Sequence, residues 1–249
     1  MSREPDDLKF EKLFGTDRKS FPENIILSPF LNPSLGKSLL QNSETFRGML
    51  YRGVRGSFQG ATIAFVRSGI GQSLVSDCVL AQNAQRTRRI IFLGAAGSLA
   101  DFRVADRCVI DTAFFDTEFF SQYGLMFEKN AKEKNFPADT ALLSAALSLA
   151  KQQGIALCPS DIVSLQSLWD QKDAFLAMLA KNGRQLVDLE CAMFYAAAIR
   201  QRIPALAFCY VSDLPNSVPY WRNFSDGESA AVRASVDCLL RLALAVCSC

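Results

Sequence analysis

The chain has 249 residues, 49% hydrophobic and 21% charged, which is enough apolar material for a large α/β domain with a buried core. Its 27 basic and 25 acidic residues leave a formal net charge of +2, so no bulk field draws it to nucleic acid or anionic lipid, and so apolar a composition excludes disorder. There is no histidine, which removes Ser-His-Asp and Cys-His nucleophiles, histidine-dependent zinc sites and every imidazole acid or base.

The opening MSREPDDLKFEKLFG is charged and lacks an apolar core with a small-residue cleavage site, so no signal peptide is expected; residues 1–20 are read as open to disorder. From there short β-rich runs alternate with helical patterns. Strands are predicted at 24–28, 61–67, 89–93, 107–111, 161–165, 185–188 and 205–211. Helices are predicted at 72–84, 138–153, 173–181, 189–201 and 227–246, with Gly154 a stop signal for the second. The alternation argues for a three-layer α/β/α fold around a central mixed, largely parallel sheet. No linker or repeat divides the chain, which reads as one domain over residues 1–249. No apolar run reaches the roughly 18 residues of a membrane span, so no membrane contact is expected. The eight cysteines are scattered and form no CxxC pair, as expected of reduced thiols in a cytoplasmic protein. No cofactor and no metal is implied, because the carboxylates are scattered and no imidazole joins them.

In sheets of this kind ligands collect where strands end at their carboxyl side, and three segments lie there. Arg67-Ser68-Gly69-Ile70-Gly71 and Gly94-Ala95-Ala96-Gly97-Ser98 read as glycine-rich turns. Either they bring backbone amides close to an anion or a sugar hydroxyl, or they are simply tight turns. Neither has dinucleotide or P-loop spacing. Glu190, in Val187-Asp188-Leu189-Glu190, suits a helix start, where the macrodipole favours an acid; it is equally placed to grip a pair of ribose hydroxyls. Asp213, in Val211-Ser212-Asp213-Leu214-Pro215, is either a turn residue before proline or a general acid at a pocket mouth.

Taken in order, Leu93-Gly94-Ala95-Ala96-Gly97, Val187-Asp188-Leu189-Glu190 and Cys209-Tyr210-Val211-Ser212-Asp213 resemble the nucleoside phosphorylase and nucleosidase superfamily. Arg47-Gly48-Met49-Leu50 and Ala205-Leu206-Ala207-Phe208-Cys209 look most like the bacterial hexameric purine nucleoside phosphorylases. The resemblance implies cleavage of the N-glycosidic bond of a purine nucleoside. Asp213 would protonate or hydrogen-bond purine N7, oriented by Ser212, with Arg222 the nearest candidate for an assisting arginine. Glu190 would hold the ribose diol, Leu189 would pack on the sugar, and Leu168 and Trp169 would contact base and ribose. Arg47 would reach a neighbouring subunit's site, which implies a homo-oligomer, a dimer or a hexamer.

The acceptor side departs from the resemblance. The first loop, Ser28-Pro29-Phe30-Leu31-Asn32-Pro33-Ser34-Leu35, has neither glycine nor arginine. Phe92 stands where an arginine is expected before Gly94, and Ala95 where a serine is expected after it. Losing two phosphate-facing arginines forfeits about 1.5–3 kcal/mol per charged hydrogen bond, and Arg52 and Arg67 are the remaining candidates to replace them. The water-activating glutamate of the nucleosidases is also missing from that loop. Phosphate and water both stay open as acceptor, and so do a hydrolytic nucleosidase acting on methylthioadenosine or futalosine, a nucleoside-binding protein without turnover, and an enzyme for a bulkier glycoside.

Overall fold

The strands arise where apolar runs need cover on both faces. All five residues of β1 (Asn24–Ser28) are buried, in a computed structural model that describes residues 4–115, 135–215 and 217–249. In chain order the elements are α1 (Pro5–Phe14), β1, α2 (Ser34–Lys37), β2 (Gln41–Arg47), β3 (Arg52–Phe58), β4 (Ala61–Arg67), α3 (Gln72–Leu80), β5 (Arg89–Ser98), β6 (Arg107–Phe115) and β7 (Asn135–Pro137). They continue with α4 (Thr140–Gln152), β8 (Cys158–Ser164), α5 (Asp173–Lys181), β9 (Leu186–Asp188), α6 (Cys191–Gln201), β10 (Ala205–Asp213) and α7 (Asp226–Ser248).

The sheet is mixed. Its centre is parallel, with β4, β1, β5 and β10 side by side, and β6–β8 and β8–β9 are parallel too. The pairs β2–β3, β3–β4, β5–β9, β6–β7 and β6–β10 are antiparallel. Because β5 pairs with both β9 and β10, the circuit β5–β10–β6–β8–β9 closes on itself, and β1, β4, β3 and β2 extend it as an open sheet. The carboxyl ends of β1, β4, β5 and β10 consequently meet along one edge. Helices supply the outer layers, α3 packing with α6 and α4 with α7. No helix among the described residues is long and apolar enough to cross a membrane.

Helix α6 is buried from Cys191 through Ala198, and Tyr195 ties it to the sheet. Its hydroxyl donates to the Ile110 carbonyl at 2.6 Å and accepts from the Ala207 amide at 2.8 Å. Tyr195→Phe strands both backbone groups away from water, so a loss of about 1–3 kcal/mol is expected, read as a lower urea midpoint at unchanged slope.

Besides the short α2 and β7, which were not expected, the opening segment, the β2–β3 hairpin and β5 differ from the sequence-based expectation. The opening segment forms α1, whose Phe10 and Phe14 stack at 4.1 Å and meet Phe21 and Tyr51 in a buried aromatic cluster. Aromatic burial orders this charged helix. The β2–β3 hairpin was not expected because β2 is an edge strand and, except at Phe46, polar and largely exposed. Finally, β5 runs on to Ser98, so Gly94 to Ser98 is strand and not turn. Its glycines serve close approach instead: a Cβ on Gly94 would lie 2.4 Å from the Phe92 ring, and one on Gly97 would lie 3.1 Å from Asp213 Oδ2.

Candidate active site

Gly97 is the hub of the site. It pairs with Val187 of β9 on one side and with Asp213 of β10 on the other. Three residues beyond Val187 the chain reaches Glu190, just past the end of β9, while Asp213 ends β10, so the two acids follow strands that flank one glycine.

Asp213 ends β10 just after a bulge that shifts the register between Val211 and Asp213, a device that re-aims a side chain. It is 4% exposed. The Ser212 hydroxyl lies 2.5 Å from Oδ1 and 3.2 Å from the Ala96 carbonyl, while Oδ2 is buried with no hydrogen-bond partner among the described residues. Burial pushes the carboxyl above its ordinary range, and the Ser212 contact offsets part of that. Such a group holds a proton more readily than an ordinary carboxyl and has one oxygen free for another molecule.

The alternative role considered for Glu190, capping a helix, is taken by its neighbours. Asp188 accepts from the Cys191 amide at 2.7 Å, Ser164 accepts from the Ala192 amide at 2.9 Å, and the Ser164 hydroxyl donates to Asp188. Glu190 makes no cap bond to α6. It turns across the sheet edge instead and accepts from the Gly71 amide at 2.8 Å. Gly71 sits at φ +112°, a conformation that side-chain-bearing residues rarely adopt. Burial, then the neighbouring Asp188, raises Glu190 from 4.5 to about 8, against the pull of backbone amides; Asp188 is raised by burial as well.

These shifts carry a sign. Glu190, raised on folding, is protonated in the folded state but ionised in the unfolded one between about pH 4.5 and 8, so it lowers stability as pH rises through that window, and Asp188 and Asp213, raised as well, act in the same direction. The urea midpoint is therefore expected to fall from about pH 5 to about pH 9, and Glu190→Gln to flatten the slope.

The remaining sequence-predicted residues divide. Gly94, Ala95, Ser212 and Leu189 lie on the strand ends and the connection around Gly97, Ala95 pairing with Tyr210 and Gly94 with Cys209. Leu168 and Trp169 sit on a 3₁₀ turn after β8, Trp169 at 87% exposure. Phe92 is fully buried, its ring 5.3 Å from that of Phe194 on α6, so its place is the core beneath Gly94. Arg222 is engaged with Glu228 at the start of α7. Arg47 lies on the β2 edge with Arg52 and Arg67. The Asp188–Ser164 cap and Gly71 amide were missed in the sequence; the alternating acids at 188 and 190 were the available signal for the first. All eight cysteines are free thiols. Cys209 lies 3.9 Å from Cys191, and burial contributes to raising both thiols.

A family model described as Phosphorylase superfamily matches residues 31–243. A DeoD-type purine nucleoside phosphorylase of Jannaschia sp. (strain CCS1) is 29% identical over 171 residues, 67% of this chain and 69% of that protein. The protein of the same type from Actinobacillus pleuropneumoniae serotype 5b (strain L20) is 26% identical over 168 residues, 65% and 66% of the two chains. In fold, the chain is similar to uridine phosphorylase from Vibrio fischeri ES114, with a TM-score of 0.78 at 18% identity over 93% and 94% of the two chains. It is also similar to the Campylobacter jejuni 5′-methylthioadenosine/S-adenosyl homocysteine nucleosidase, with a TM-score of 0.75 at 15% identity over 91% and 99%.

Proposed function

The chain belongs to the phosphorylase superfamily, and from that premise we propose that it cleaves the N-glycosidic bond of a purine nucleoside. The observation that carries the reading is the state of Asp213: a buried carboxyl with an unpartnered oxygen, raised toward its acid form, flanking the same glycine as the strand that feeds Glu190.

The chemistry follows from what such a bond needs. As it breaks, its electron pair leaves with the base and positive charge builds on the sugar. Asp213 gives a proton to purine N7, so the base departs neutral. Glu190 accepts hydrogen bonds from the ribose 2′- and 3′-hydroxyls, and its negative charge stabilises the sugar cation as that charge develops. The acceptor then closes the bond to C1′. A base with no N7, such as uracil, gives Asp213 nothing equivalent to protonate, and the relatives in sequence are of the purine type; both support purine over pyrimidine. A symmetric oligomer belongs to the same reading, supported by Met49 and Ile70 at 61% and 60% exposure in the loops beside Arg47 and Gly71.

The test is a product assay by chromatography with adenosine, inosine, methylthioadenosine, futalosine and uridine, each with and without phosphate. Release of purine base from at least one purine nucleoside, and none of uracil, is expected. Release of uracil alone, or no base from any of them, would overturn the proposal.

A further inference from the structure

Where β2 ends, β3 begins and β4 ends, a row of cations crosses one edge of the sheet. Arg47 pairs directly with Arg52, Arg52 with Arg67, and Arg67 with Ser28 at the end of β1. Directly paired residues share a face of the sheet with Cβ atoms about 4.5–5.5 Å apart, and like charges so placed repel. The three arginines, with Lys37, Asn32 and Ser34, line a groove of about 570 Å³ between this face and α2. Helix α2 lies close to the same sheet, a Cβ on its Gly36 falling 3.1 Å from Phe65 and 3.2 Å from Val54.

Among the described residues, no carboxylate lies within ion-pair distance of Arg47, Arg52, Arg67 or Lys37. The contrast is Arg55, at odd spacing from Arg52 on β3 and so on the opposite face, which is paired with Glu44 at 3.0 Å. Three arginines on directly paired positions without a counter-charge are a cost to the folded chain that a bound anion would offset, and their planar guanidinium forks suit phosphoryl oxygens. Arg67 also ends β4 at the carboxyl edge of the sheet, and only Ser68, Gly69 and Ile70 separate it in sequence from Gly71, whose amide holds Glu190.

We propose that this groove binds a phosphoryl dianion, through Arg52 and Arg67 together with Arg47. The positions from which the family resemblance would supply a phosphate cradle hold a buried Phe92 and Ala95, and the positive charge stands instead on this three-strand row. Its ligand is free phosphate acting as acceptor or the phosphate of a phosphorylated nucleoside. That link to turnover rests on the proposed function; binding itself does not.

Calorimetry at fixed ionic strength decides, with inorganic phosphate in one arm and a nucleoside 5′-monophosphate in the other. Saturable one-to-one binding of at least one probe is expected, weakened about tenfold or more by Arg52→Ala and by Arg67→Ala and unchanged by Arg55→Ala. Binding of phosphate itself identifies an acceptor site; binding of the monophosphate alone identifies a site for the substrate's own phosphate. Arg52 is exposed, and in phosphate-free buffer Arg52→Ala is expected to melt no lower than the parent, because it removes repulsion, while losing any anion-induced rise in Tm. Absence of saturable binding to both probes, or binding indifferent to the arginines, would overturn the proposal. Anion binding without base release in the product assay would sink the proposed function and leave this site standing; base release without anion binding would do the reverse.

Discussion

Asp213→Asn is expected to lower kcat by about 10²- to 10⁴-fold while changing KM for the nucleoside by less than about threefold. The amide is nearly isosteric, can still accept from Ser212 and can still donate a hydrogen bond to N7, so the substrate binds. It cannot give up a proton, so the base must leave as an anion. The split between kcat and KM separates this role from a structural one, in which misfolding would remove active protein without regard to the leaving group. A nucleoside whose base leaves readily without protonation should be spared most of the loss. Steady-state rates on inosine and on such an activated nucleoside check both parts. Parent-like turnover of inosine would remove Asp213 from the mechanism.

Glu190→Gln is expected to lower kcat/KM by about 10²-fold or more, on the basis of about 1.5–3 kcal/mol for each charged hydrogen bond to the ribose hydroxyls. Here the pH dependence is diagnostic. Glu190 titrates near 8 because it is buried beside Asp188, and only its ionised form stabilises a sugar cation. The parent's kcat/KM should therefore climb as pH rises toward about 8, and the Gln variant should lack that limb. A 2′,3′-dideoxynucleoside removes the hydroxyl grip but not the charge effect on the sugar cation, so the gap between parent and variant should narrow on it without closing. An undiminished rise with pH in the variant would assign the titration to another group.

Much of this was legible in the residues, for physical reasons. Strands β1, β4 and β10 are apolar runs that must be covered on both faces, and they stand within two residues of the predicted boundaries. Glu190 and Asp213 each had a structural alternative at a strand's carboxyl end, and it was the order of the motifs resembling the nucleoside phosphorylase and nucleosidase superfamily that singled them out. What escaped depends on contacts between distant segments. The glycines of β5 look like turn residues in sequence, yet they are strand positions kept bare for the Phe92 ring and the Asp213 carboxylate. The polar β2 strand shows little strand periodicity because it has an edge and an exposed face. Phe92 reads as a possible pocket wall until α6 is seen to bring Phe194 against it. The arginine row cannot be read locally at all: 47, 52 and 67 become neighbours only through the register of three strands.

The central claim, that Glu190 and Asp213 act on opposite ends of one nucleoside, rests on the register of β9, β5 and β10 around Gly97. The most direct test is a crystal structure of the Asp213→Asn protein with inosine, whose glycosidic bond that variant should leave largely intact. The expected result places N7 within about 2.6–3.2 Å of the substituted side chain at position 213, and a ribose hydroxyl at the same distance from Glu190. Inosine bound in the arginine groove, or bound with Glu190 still directed only at Gly71, would contradict it.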